Sequence, residues 1–482
     1  MPETGPEAIE TIADAGSFEA AGALVSDADP VGYPTYRDAL ERARERSGSR
    51  EAVLAGSASI GGVPVEVAAL DFSFMGGSMG SAAGELLARS LERAAARRVP
   101  FVLRTATGGA RMQEGMASLV QMPKIVGARV ELARAGLPFV AVLGHPTTGG
   151  VLASLASLAD VTIAEEGATV GFAGPRVVER ATGRRLAEGS HTAESALAAG
   201  LVDAVVPGAD VRASAAAALS IFASEPGRPP GPPPEADGAG RDPWESLQRV
   251  RSESWPRGPD LARGLSGSFF ELRGDRAGAD DRACVTGLAT VEGAAVVLLA
   301  LDRARAPGPS AYRKATRCIR MAARLGLPVV TLVDTGGADP SETSEAGGIA
   351  WAISELFEAM LSAPVPVVSV LTGEGGSGGA LAFACGDVLL AYEDAVFAVI
   401  APELAAEILW REPARAPEAA RLLKMGSGDL LRLGICDAVL GGRPSGGSLR
   451  AAVAYHLARL GNETAGAARD AARRQRWRHV CG

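Results

Sequence analysis

The chain has 482 residues, too many for one ordinary hydrophobic core, so its length points to two to four domains. Hydrophobic residues make up 47% and charged residues 22%, the balance of a soluble globular protein rather than a disordered one. The net charge of −8 argues against general nucleic-acid binding, and apolar runs such as Ala294 to Leu301 are too short to span a bilayer.

The N-terminal stretch MPETGPEAIETIADAG is acidic and lacks the apolar segment of an export signal, so a cytoplasmic location is expected. Residues 1–50 read as an extension, helical from Thr35 to Arg46. From 51 onward, short Val/Leu/Ala strands alternate with helical patterns such as SAAGELLARSLERAAARR at 81–98. Continuous apolar strands between helices imply a sheet buried on both faces, hence an α/β class. After the strand near Pro100 comes TATGGARMQEG, residues 105–115, where two glycines precede a helical pattern expected to start at Arg111.

The pattern then recurs. Pro100 and Pro328 each precede an apolar strand, and Gly108-Gly109 and Gly336-Gly337 each follow it, both at an offset of 228 (328 − 100 and 336 − 108). Pro138 and Pro366 keep the same offset. A repeat this long means two copies of one fold rather than a solenoid. We therefore expect a first domain at 51–223, a semi-rigid Pro/Gly-rich linker at 224–243 and a second domain at 244–482. The final AARRQRWRHVCG reads as a solvated basic helix end. The five cysteines, Cys284, Cys318, Cys385, Cys436 and Cys481, form no CxxC pair, and His145, His191, His456 and His479 show no ligand spacing, so no metal site is expected.

Each copy has two glycine-rich corners between a strand and a helix. In the first copy these are Gly108-Gly109-Ala110 and Thr148-Gly149-Gly150; in the second, Gly336-Gly337-Ala338 and the run Gly375 to Ala380, with Gly378 and Gly379. Glycine lets a ligand approach the main chain, and a helix N-terminus offers unpaired N–H groups. Such a corner can act as an oxyanion hole, or be a packing device only. The spacing fits neither a P-loop nor a dinucleotide fingerprint. Ser377 could be a nucleophile, though no GxSxG elbow with a plausible histidine is evident. Glu114, Asp334 and Glu374 could act as acids or bases, or simply pair with neighbours. Arg111 could bind a phosphate or carboxylate, or form a structural ion pair.

The segments DFSFMGGSMGSAAGELLARS, GGARMQEGMASLVQM, PTTGGVLASLASLADVTIAE and GFAGPRVVE resemble the carboxyltransferase β subunit of bacterial acetyl-CoA carboxylase. GDRAGADDRACVTGLATVEG, AYRKATRCIRMAARLGLPVVTLVDTGGA, GEGGSGGALAFACGD and APELAAEILW resemble its α subunit. The resemblance covers roughly residues 55–210 and 245–442. It implies two tandem crotonase-fold (ClpP/crotonase-like) domains, with the active site between opposed domains of a dimer. It further implies that Gly108 and Gly109 hold a thioester enolate oxygen and that Gly378 and Gly379 hold the ureido oxygen of biotin. Ala110, Arg111, Gly149, Gly150, Gly336, Gly337 and Ala380 are expected to bind substrate.

The implied reaction moves a carboxyl group from carboxybiotin to acetyl-CoA or a related acyl-CoA, in fatty-acid or polyketide supply. No cofactor would be covalently bound. Biotin carboxylase and the biotin carboxyl carrier protein would be separate chains, and the protein a homodimer. Three departures from the family pattern stand out. No cysteine precedes Cys284, so the family's four-cysteine zinc ribbon is absent; the turn Thr335 to Ser341 lacks the usual tyrosine and first proline; and LDRARAPGPSAYRKA is shortened. They keep two other readings open: a biotin-independent decarboxylase of a malonyl-type thioester or β-keto acid, and a non-catalytic partner in a carboxylase complex.

Overall fold

The computed structural model describes residues 3–22, 29–237, 239, 241–463 and 466–480. Cys481, two linker residues (238 and 240) and parts of the N-terminal extension (1–2 and 23–28) lie outside the described residues. The chain divides into two compact units, Met1–Ala223 and Ser224–Gly482.

In the first unit an eight-stranded sheet runs in the order Glu19–Ala20, Val53–Ile60, Val63–Leu70, Phe101–Thr107, Phe139–Thr148, Val161–Glu165, Ala204–Val206, with Val170–Gly171 added beside Phe139–Thr148. The first pairs are antiparallel; from Val63–Leu70 onward they are parallel. Phe101–Thr107 is buried at every position, as a central parallel strand must be. Helices Ser81–Arg97 and Gln121–Arg134 supply Leu86, Leu87, Leu91, Ile125 and Leu132 to a core shared with Phe101, Leu103 and Phe139.

The second unit repeats this plan in nine strands. Its central order is Cys284–Val291, Ala294–Leu301, Val329–Thr335, Val367–Gly376, Val388–Tyr392. The registers correspond: Phe101 faces Phe139 and Val329 faces Val367, each 228 residues on (329 − 101 and 367 − 139). Even the irregularity recurs, between Thr105 and Thr107 in one sheet and between Val333 and Thr335 in the other. The 17-residue helix Ser81–Arg97 has its counterpart in Pro309–Leu325, also 17 residues, begun by proline at its first turn and ended by Gly326 in the left-handed conformation. The two sheets thus shift register at the same place in the repeat.

The extension and the linker are both tied to a unit. Helix Tyr36–Ser47 buries Tyr36, Leu40 and Ala43 against Ala52 and Phe74. In the linker region Glu235–Ala236 pairs with Ala438–Leu440, and the Gly227 N–H donates to the Glu292 carbonyl at 2.7 Å.

The basic tail is largely exposed, as its sequence suggests, but one of its arginines is buried. In helix Ala467–His479, Arg473 is fully enclosed. Its guanidinium donates to both carboxylate oxygens of Asp387, at 2.9 and 2.8 Å, and to the carbonyls of Met360, Ala363 and Val365. Met360 lies in the last turn of helix Ile349–Ser362, where carbonyls lack intrahelical donors. A cation placed there satisfies those carbonyls and the helix dipole together.

Candidate active site

The first-unit corner is backbone against backbone. Gly109 has φ +104, and a β-carbon on it would lie 3.0 Å from Gly149 Cα and 3.3 Å from the Gly150 nitrogen. Gly149 has φ +70, and its β-carbon would lie 2.8 Å from Gly109 Cα. Both positions require glycine for dihedral and for space. Two strand ends therefore close on one another and bring Gly108, Gly109 and Ala110 beside Gly149 and Gly150.

The hydrogen bonds then decide which donors stay open. Gly108 N–H donates to the Gly76 carbonyl at 2.9 Å, and Gly109 N–H to Thr107 Oγ1 at 3.0 Å. Ala110 forms a parallel bridge with Met79: Met79 N–H donates to the Gly109 carbonyl and Arg111 N–H to the Met79 carbonyl, at 2.8 and 2.9 Å. In such a bridge the N–H of the middle residue faces the opposite side. Gly149 N–H is used by the Phe172 carbonyl at 2.9 Å. Among the described residues, the N–H groups of Ala110 and Gly150 have no protein acceptor. The corner's open donors are therefore Ala110, which follows the first glycine pair, and Gly150, the second glycine of the other pair, while Gly108, Gly109 and Gly149 shape it.

Arg111 does not begin a long helix. It is extended (φ −73, ψ 103); a short turn Met112–Glu114 follows, and Gly115 at φ +54 separates this from Met116–Leu119 and Gln121–Arg134. Nor is its guanidinium free for a ligand in this structure. It is enclosed, bonded to Glu51 at 2.5 and 3.2 Å, Glu114 at 3.3 Å, Tyr36 Oη at 3.3 Å, the Ser78 carbonyl at 2.8 Å and Ser78 Oγ at 3.3 Å, and it faces the Phe74 ring. Burial opposes its charge, but the ion pair and hydrogen bonds to Glu51, together with Tyr36, outweigh burial and hold the pKa above the ordinary arginine value. Glu114 also accepts from Tyr36 O–H and from Ser81 N–H, each at 2.6 Å, so its carboxylate sits at the start of helix Ser81–Arg97. Burial, with the Glu114 hydrogen bond, raises the Tyr36 pKa and keeps the phenol neutral.

In the second unit Gly337 has φ +134, and its N–H donates to Thr335 Oγ1 at 3.3 Å. A β-carbon on Gly376 would collide with the backbone of Gly336. One on Gly379 would lie 2.6 Å from Tyr312 Oη and 2.9 Å from the Ala338 nitrogen. Gly336 thus meets Gly376, and Ala338 meets Gly379, at the start of helix Ser377–Ala384, whose first turn also holds Gly378 and the buried Ala380. Ser377 has φ +58, the left-handed conformation that Gly149 adopts in the first unit. Ala338 N–H has no protein acceptor among the described residues, and Gly378 and Gly379 lie in the first turn of their helix, where N–H groups lack intrahelical partners.

The three carboxylates near the corners are paired. Asp334 accepts from Arg303 at 2.8 Å and from Glu374 N–H at 3.1 Å. Glu374 accepts from Arg251 at 2.8 and 2.6 Å, and Arg251 continues to Glu403 at 2.6 Å. Burial pushes the Asp334 carboxyl up to about 6, against the pull of Arg303. Ser377 forms no hydrogen bond with a histidine, and no group of metal-ligating side chains occurs among the described residues. Sequence reasoning did not single out Tyr36, Glu51, Arg251, Arg303 or Tyr312. Only Tyr36 carried a signal, its helical spacing with Leu40 and Ala43.

Glycine-rich strand-to-helix corners recurring in two like units, with no nucleophile–base pair among the described residues, mark a tandem crotonase-type fold. The fold matches that of transcarboxylase 12S, with a TM-score of 0.78 over 97% of this chain and 92% of that one, at 24% identity. Residues 240–463 match the family described as acetyl co-enzyme A carboxylase carboxyltransferase-like. The chain is 45% identical to acetyl-coenzyme A carboxylase carboxyl transferase subunits beta/alpha of Salinispora arenicola, over 89% of this chain and 80% of that protein. It is 36% identical to a probable biotin-dependent acyl-coenzyme A carboxylase beta3 subunit of Mycobacterium bovis, over 87% and 86%. It belongs to the acetyl-CoA carboxylase carboxyltransferase family, with β-like and α-like halves in one polypeptide. Among the described residues no helix is long and apolar enough to cross a membrane.

Proposed function

We propose that the first-unit corner holds the thioester oxygen of acetyl-CoA or a related acyl-CoA, and that the second-unit corner holds the ureido oxygen of carboxybiotin. Transfer breaks the N–C bond of carboxybiotin and places negative charge on its ureido group. The ureido nitrogen takes the acyl α-proton, and the resulting enolate forms the new C–C bond to the released carboxyl carbon. Both charges develop on oxygens, where preorganised N–H donors stabilise the transition state more than the ground state.

The observation that carries this reading is the pairing of open donors in matching corners: Ala110 with Gly150, and Ala338 with the first turn at Gly378 and Gly379. Biotin carboxylase and the biotin carrier protein act as separate chains in the cytoplasm. Two copies of the chain assemble, a reading supported by exposed apolar residues next to the corners, Met112 and Met116 in one unit and Leu404 and Ile408 in the other.

The test is malonyl-CoA consumption by the purified chain with and without biocytin. Loss that requires biocytin is the expected result. Loss indifferent to biocytin makes the protein a decarboxylase, and no loss in either arm overturns the assignment to malonyl-CoA chemistry.

A further inference from the structure

Tyr312 has a buried hydroxyl that nothing satisfies. The residue is 0% exposed, and its Oη has no hydrogen-bond partner among the described residues. Its ring packs at a tilt on Phe383, with centroids 5.6 Å apart. An unpaired buried hydroxyl destabilises a fold, and phenylalanine would fill the same space without that cost.

The position of the hydroxyl suggests what it is for. The point where a Gly379 side chain would begin is 2.6 Å from Tyr312 Oη and 2.9 Å from the Ala338 nitrogen. Two unpaired polar groups, the Tyr312 O–H and the Ala338 N–H, therefore lie on one side of Gly379 with no side chain between them. The first unit has the opposite arrangement. Positions 228 residues earlier (312 − 228 and 379 − 228) are Gly84 and the buried Val151, and the space over Gly84 is filled by the Gln121 side chain. The first unit thus fills with Val151 the place that the second leaves to a glycine and a hydroxyl. Volume explains the exchange of ring for side chain; it does not explain an oxygen. Burial also raises the Tyr312 pKa, so the phenol keeps its proton as a donor at neutral pH.

We propose that the Tyr312 O–H is a third hydrogen-bond donor of the second corner, sharing with the Ala338 N–H one acceptor oxygen of the biotin-side reactant. The inference rests on the reading that this corner receives the ureido oxygen. The Ala338 β-carbon lies 3.0 Å from that same point, so the Ala338 turn packs beside the buried hydroxyl. The acceptor supplies the missing bond, so the cost of the orphan hydroxyl is relieved only when the ligand is seated.

The experiment is Tyr312→Phe in the full chain, assayed by biocytin-dependent loss of malonyl-CoA with both substrates varied, alongside thermal melting. We expect kcat/KM for biocytin to fall about tenfold, the KM for malonyl-CoA to stay unchanged, and the melting temperature to hold or rise. A structural role would lower the melting temperature and move both substrates together, and either that result or wild-type kinetics overturns the proposal. If wild-type protein shows no biocytin-dependent turnover, the functional reading falls and takes this inference with it. An active wild type with an unaffected Tyr312→Phe variant removes the inference alone.

Discussion

The two units share a backbone and differ in what braces it. In both, two strand ends close on each other through glycines, with corresponding registers and corresponding irregularities. Beneath the first corner lies a fully enclosed ionic cluster, Arg111 with Glu51 and Glu114, tied to Tyr36. Beside the second lies a chain of ion pairs reaching toward the surface, Arg303–Asp334 and Glu374–Arg251–Glu403. The corner is thus specified by main-chain geometry, and each half has found its own side chains to hold it. The second unit's bracing ends on an Arg251 that is 33% exposed, whereas Arg111 is 0% exposed, so the first corner is the more rigidly preset of the two.

If the corners are backbone devices, the largest effects should come from glycine. Gly109→Val places a branched side chain against Gly149 and Gly150 at φ +104, so it must part the two strand ends. Carboxyl transfer should fall about a thousandfold or more, roughly 4 kcal/mol of transition-state stabilisation. Gly378→Ala probes the second unit at the position that matches Gly150 (378 − 228), where a β-carbon meets nothing within 4 Å. That variant should melt like wild type, and any activity it loses reports contact with a bound reactant. Equal melting and activity losses at the two positions would refute the comparison.

Next in size is the buried cluster. Arg111→Met leaves Glu51 and Glu114, both almost fully buried, without their cation. Breaking a buried pair from one side costs about 3–5 kcal/mol, and denaturant unfolding should show that loss. Arg251→Met in the second unit removes a partly exposed cation and should cost about 1–2 kcal/mol at most. Similar losses for the two variants would mean that the difference in bracing is only apparent.

The internal offset of 228 made the twin sheets and their glycine corners legible from the chain, because a repeated turn needs glycine at the same place twice. The bracing was not legible. Arg111 finds Glu51 and Tyr36 at separations of 60 and 75 residues, and Arg473 finds Asp387 at 86. No local pattern marks such partners, so Arg111 read equally as a ligand or an ion pair, and the tail read as a solvated helix. The break at Gly115 was missed for a different reason. Helix-forming residues continue on both sides of it, and only the positive φ shows that the chain turns there. Ala110 and Gly150 are among the residues the sequence marks for substrate, but the sequence does not show that Thr107 and Gly76 take up the N–H groups of Gly109 and Gly108 themselves.

In the second unit one buried carboxylate should give a pH effect just below neutrality. Asp334 titrates near 6 in the folded chain, above its ordinary value, because burial penalises its charge. Folding therefore binds a proton there at mildly acid pH. The contribution to stability is complete below the ordinary aspartate range of about 4 and is lost as pH rises through about 6. Asp334→Asn is neutral throughout, so the melting temperatures of variant and wild type should diverge in that window and run parallel elsewhere. Parallel profiles across the whole range would mean that Arg303 keeps the carboxylate ionised.

The smallest expected effect separates two arginines on one helix. Arg473 and Arg476 lie a single turn apart on Ala467–His479, yet Arg473 reaches three carbonyls and a buried Asp387, whereas Arg476 pairs with Asp437, which is 37% exposed. Arg473→Ala should therefore cost about 2–3 kcal/mol, since it uncaps helix Ile349–Ser362 and strands Asp387. Arg476→Ala should cost about 1 kcal/mol or less, a loss that added salt reduces further. Urea unfolding of both variants at two ionic strengths checks this. If both cost the same and both fade with salt, the tail is held by long-range charge alone and the capping of Ile349–Ser362 contributes nothing. A salt-insensitive loss confined to Arg473 shows that the helix docks through its carbonyl contacts.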